Sequence, residues 1–164
     1  MRNLVFLLFT FTACSCVASS SSEWVNRYAD SMDRLICSKN INYDHFLVGL
    51  RDKKYIVGYR LQVGKAGFHP SPYEISWKFT DLSGRYIEIL KPKKVLSSKV
   101  YQEEGFIYVD ELQEREVHTK NVEEFEVKVA FRKGSSGVEK SSSPREKGDR
   151  KMSEHLVCKV KVKN

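Results

Sequence analysis

The sequence predicts a mainly β fold: an antiparallel β-sandwich or barrel-like domain with one N-terminal α-helix. Three observations carry this. Apolar and polar residues alternate with period 2 in several short segments. Turn signals separate those segments about every eight to twelve residues. The connections are too short to house crossover helices, which disfavours a parallel α/β sheet. A two-layer α+β domain, with the helix covering one sheet, is the alternative.

The elements follow in order. Residues 20–36 read as the helix. Ser20 and Glu23 have the spacing of a capping box. Trp24, Tyr28 and Leu35 fall on one side, with Met32 and Ile36 beside them, and charged residues fill the remainder. Cys37 then ends the helix. YDHFLVGL (43–50) and YIVGYRLQV (55–63) read as strands joined by an RDKK turn. GKAGFHPSP (64–72) is a loop, because its two prolines and two glycines cannot lie in a central strand. YEISWKF (73–79) places Tyr73, Ile75, Trp77 and Phe79 on one face. TDLSGR turns into YIEIL (86–90), a further short strand. VLSSKVY (95–101) pairs with GFIYVDEL (105–112) across QEEG. VEEFEVKVAF (122–131) and LVCKVKV (156–162) complete the set, the last with Leu156, Cys158, Val160 and Val162 facing inward.

The first residues have another purpose. Arg2 precedes an apolar run, LVFLLFTF, and then small residues, which is the layout of a secretory signal peptide. Cleavage after Ala18 leaves residues 19–164 as one domain and makes 1–18 the signal peptide. The mature chain then holds two cysteines, Cys37 and Cys158, and an oxidising compartment favours their bond. That bond would staple the helix to the last strand. FTAC, ending at Cys14, resembles the bacterial lipoprotein signal, in which the cysteine is lipidated. This implies a lipid-anchored envelope subunit, periplasmic or at the outer membrane, as the alternative to simple secretion. It would leave Cys16 without a partner, so cysteine parity favours secretion.

The formal net charge of the 164-residue chain is +7, and it is unevenly placed. Residues 19–131 hold 17 basic and 17 acidic side chains, whereas 132–164 hold ten and four. Any attraction to polyanions therefore comes from the C-terminal part. Within it, 133–155 has no apolar run and reads as a flexible loop. Arg145, Lys147, Arg150 and Lys151 form a small basic cluster there, a candidate contact for an anionic glycan or membrane surface. Acidic neighbours weaken the cluster. No aromatic residue is interleaved with it, which disfavours nucleic acid.

Catalytic signatures are missing from the sequence. No G-x-S-x-G elbow, phosphate-binding glycine loop or zinc-type spacing occurs, and no N-x-S/T acceptor exists for an Asn-linked glycan. No catalytic residue, metal ligand or cofactor is assigned. Binding residues most often lie on loops held by a rigid scaffold. Phe68, His69 and Tyr73 are therefore the candidate recognition loop, within a set of loops at 64–72, 80–85 and 133–155. The expectation is a non-enzymatic secreted or cell-surface binding module whose partner is another extracellular or envelope protein. A small secreted enzyme, or an enzyme inhibitor using the loop 67–73, is the other reading.

Overall fold

The computed structural model describes residues 20–89, 94–134 and 152–162. The expected signal peptide, Cys14 and the basic cluster Arg145, Lys147, Arg150 and Lys151 lie outside the described residues. One helix, α1 (Ser20–Ala29), precedes eight strands: β1 (Arg34–Ile41), β2 (Asp44–Arg51), β3 (Lys54–Lys65), β4 (Tyr73–Asp81), β5 (Lys94–Glu103), β6 (Phe106–Arg115), β7 (Glu124–Lys133) and β8 (Ser153–Lys161). They form a five-stranded sheet, β1-β2-β3-β6-β5, and a three-stranded sheet, β4-β7-β8. All neighbours are antiparallel. The sheets face each other as a sandwich and do not close into a barrel.

The core follows from the alternation. Phe46, Val48, Val57, Tyr59, Leu61, Val63 and Val109 face inward from the larger sheet. Trp77, Phe79, Phe125, Val127, Val129 and Val160 meet them from the smaller. β2 and β3 read as nearly continuous apolar runs for a separate reason: they are covered on both faces. Leu47 and Ile56 face the other way and pack, with Leu112, beneath Trp24 and Tyr28 of α1. Gly58 sits at this second layer. A Cβ there would overlap Leu112 and come within 3.1 Å of Leu47.

The helix is shorter than the sequence predicts. α1 stops at Ala29, and β1 occupies 34–41. Residues 30–33 make the corner with their own polar groups. The Ser31 hydroxyl donates to the Tyr28 carbonyl at 2.7 Å, and the Asp33 carboxylate accepts the Asp52 N–H at 2.7 Å. Short polar side chains of this kind compete with helical hydrogen bonds. Leu35 still packs near Trp24 and Tyr28, but from a strand. A period-3.6 count cannot distinguish that arrangement from a longer helix.

This changes what the disulfide joins. Cys37 and Cys158 are bonded, with Cα atoms 6.4 Å apart and a sequence separation of 121. Cys37 lies in β1, not at a helix end. The bond ties the outer strand of one sheet to the outer strand of the other.

Two further expectations are corrected. Residues 86–89 form isolated bridges, Thr80↔Tyr86 and Glu88↔Val117, instead of a full strand. This segment spans from the end of β4 to the chain after β6. The β7–β8 register slips between Val127 and Lys128, whose partners are Cys158 and Leu156, so Val157 is the extra residue of a β-bulge in β8. Val157 is buried in the core along with Val160, while Leu156 is not part of it. The hairpin turns agree with the sequence. Asp52 and Lys53 join β2 to β3, and Glu104 and Gly105 join β5 to β6, all four with positive φ.

Candidate functional site

The registers decide which loops lie together. Tyr73 opens β4 opposite Lys133, which closes β7. Ser153 opens β8 opposite Phe131. In the other sheet the β1–β2 turn and the end of β3 reach the same end, since Lys133 Nζ donates to both Asp44 carboxylate oxygens at 2.9 and 2.8 Å. The loop 66–72 and both flanks of the segment between β7 and β8 therefore share one end of the sandwich. Residues 80–85 do not. Asp81 pairs with Phe125 at the start of β7, which places that turn at the opposite end.

Backbone hydrogen bonds hold the loop. The Ala66 N–H donates to the Gly105 carbonyl at 2.9 Å, Phe68 to Lys65 at 3.2 Å and Ser71 to Val63 at 2.7 Å. Gly134 N–H donates to the Pro72 carbonyl at 2.7 Å. The approach is close: a Cβ on Gly134 would lie 2.8 Å from Pro72 Cγ. Ser71 is buried at the loop's centre, while Phe68 and His69 project outward. Phe68 is 71 % exposed, Tyr43 in the β1–β2 turn 73 % and Tyr73 37 %. Tyr73 leans edge-on against buried Tyr59, with ring centroids 6.3 Å apart. Burial raises the Tyr59 hydroxyl far above its ordinary range, and Glu111 adds to the rise.

Two open concavities flank Lys133 and Gly134. The larger, about 840 Å³, is lined by Ile41, Tyr73, Phe131 and His155 among others. The smaller, about 430 Å³, lies beside Phe68 and Phe106. Asp44 is nearly fully buried and also accepts the Gln62 N–H at 3.0 Å, so it fixes Lys133 from beneath. Arg132 pairs with Glu74 at 2.6 Å on the rim. The ring of His155 rests 5.5 Å from that of Phe131.

Of the predicted recognition residues, Phe68 and His69 thus lie on the 66–72 loop and Tyr73 opens β4 at the same end, with Phe68 beside one concavity and Tyr73 lining the other. Sequence reasoning missed Tyr43, Asp44 and Lys133, because only the tertiary register brings them here. It also missed a row of charge elsewhere. His45, Arg60 and Asp110 are cross-strand neighbours on β2, β3 and β6, all buried. Single ionisable residues inside otherwise apolar strands were the available signal.

The outer face of the three-stranded sheet is different in kind. Lys78 pairs with Glu154, while Lys128 and Lys159 flank Glu126 at 3.0 and 3.6 Å. Such alternating ion pairs suit water. Among the described residues, no hydrogen bond or ion pair joins His69 or His118 to a carboxylate. No cluster of three His, Cys, Asp or Glu among them could hold a metal. No described helix is long and apolar enough to cross a membrane. Compared with protein-family models, curated proteins and solved structures, the chain matches none.

Proposed function

We propose that this chain is a secreted or cell-surface, non-enzymatic binding module that takes another extracellular or envelope protein on its loop end. The observation that carries this reading is the gathering of three exposed aromatic side chains, Tyr43, Phe68 and Tyr73, at one end of a rigid sandwich. Exposed aromatic anchors beside concave surface, rimmed by charge, are what protein interfaces use. Hydrogen bonds pin the loop before any partner arrives, which lowers the ordering cost of association. The disulfide is compatible with export.

A photo-crosslinking residue placed at Phe68 tests this in the natively exported chain. It should capture one specific protein, and the same residue at Lys128 on the charged face should not. Equal capture at both positions, or capture at Lys128 alone, overturns the assignment. The inhibitor reading uses the same loop and is favoured by the protrusion of Phe68 next to Pro70 and Pro72. It holds if the captured protein is a hydrolase whose activity falls on binding.

A further inference from the structure

Beneath α1 the five-stranded sheet is part apolar and part ionisable. Leu47, Ile56 and Leu112 form the apolar floor. Beside them runs the buried row of His45, Arg60 and Asp110. The two aromatic residues that seat the helix both rest on that row. The Trp24 ring lies 6.1 Å from the His45 ring, with planes tilted by 32°. The Tyr28 hydroxyl donates to Asp110 Oδ2 at 3.3 Å. Docking of α1 therefore depends on the charge state of the surface below it.

We propose that α1 is an acid-released latch: a proton taken up by His45 undocks the helix and uncovers Leu47, Ile56 and Leu112. His45 Nδ1 lies 2.6 Å from Asn40 Oδ1, an oxygen that can only accept. Nδ1 thus carries the proton of the neutral ring, and a further proton makes His45 a buried cation opposite Arg60.

The surroundings offer that cation little. Arg60 from β3 is paired with Glu103 of β5 and lies 4.0 Å from the Tyr108 ring centroid. Asn40 from β1 is neutral, and the Trp24 ring of α1, 6.1 Å away and tilted by 32°, attracts the cation only weakly. Asp44, on β2 itself, favours protonation but is engaged by Lys133. Asp110, a strand further away, accepts from Tyr28 and from Tyr101 at 3.0 Å.

Burial first, and Arg60 second, push the His45 pKa below its ordinary 6.5. Undocking α1 exposes the ring but leaves Arg60 opposite it, so the burial part of the shift is what docking adds. The docked state holds the neutral ring, and docking weakens as pH falls through the lowered value. Asp110 opposes this. Burial raises its pKa, so acid favours docking through that group. Asp110→Asn should therefore leave the release in place.

The test is an NMR titration of the oxidised chain from pH 7.5 to 5, following the Trp24 indole and the His45 ring. The expected result is that Trp24 moves to a solvent-exposed position with the same midpoint as His45, below 6.5. Between the pKa values of the docked and undocked ring the docking constant should fall up to about tenfold per pH unit. His45→Gln should abolish the transition. An unchanged Trp24 while His45 protonates, or the same release in His45→Gln, overturns the proposal. Should His45→Gln fail to fold, the wild-type His45 midpoint decides, and a value at or above 6.5 overturns it.

Discussion

Lys133, the last residue of β7, donates to both oxygens of Asp44, the first residue of β2, and so locks the two sheets together at the loop end. The Asp44 carboxylate is buried and also receives a backbone N–H of β3. Asp44→Asn keeps the shape but removes the charge that holds Lys133. A buried hydrogen-bonded ionic contact broken from one side costs about 1–3 kcal/mol. Urea unfolding should show a loss of that size. An unchanged midpoint would mean that the pair contributes nothing to the fold.

The Cys37–Cys158 bond acts at the flank where β1 and β8 run side by side. Lys39 Nζ donates to the Leu156 carbonyl there at 2.6 Å. The bond closes a loop of more than a hundred residues. Chain entropy gives close to 5 kcal/mol for such a loop, and measured values cluster at about 2–4 kcal/mol. Reduction, or the Cys37→Ala/Cys158→Ala pair, should lower stability by about 2–4 kcal/mol in denaturant titration.

Gly58 marks a close approach between strands and the layer under α1. Gly58→Ala should cost about 1–3 kcal/mol, because its methyl group would overlap Leu112 and crowd Leu47. Leu112→Ala in the same chain should recover part of that loss. Differential calorimetry of the single and double variants checks both.

Phe68 and Tyr73 should separate stability from recognition. Phe68 is mostly exposed, so Phe68→Ala should change stability by no more than about 0.5 kcal/mol. Tyr73 packs against Tyr59, so Tyr73→Ala should cost about 0.5–1.5 kcal/mol. Thermal unfolding of the two variants distinguishes them.

Much of the sandwich is legible in the residues. Period 2 in 73–79 and 122–131 reports real half-covered strands, and RDKK and QEEG report real hairpin turns. The failures have physical causes. β1 was hidden because Leu35 and Ile36 continue a helical stripe that the Ser31 and Asp33 side chains interrupt. The inward turn of Val157 depends on a bulge, which alternation cannot show. The segment from Tyr86 alternates like a strand, but Tyr86 and Glu88 make only isolated bridges. At the candidate site, Phe68, His69 and Tyr73 were readable as a Gly- and Pro-rich loop. Asp44 and Lys133 were not, since 89 positions separate them and only folding brings them together.

The most direct test uses the protein captured at Phe68. Its affinity should be measured for the wild-type chain, for Phe68→Ala/Tyr73→Ala and for Lys128→Ala. Loss of two such aromatic anchors should weaken binding at least about 100-fold, or roughly 3 kcal/mol, while Lys128→Ala stays within about threefold. Undiminished affinity in the double variant, with the fold intact, would contradict the assignment of the loop end as the binding surface.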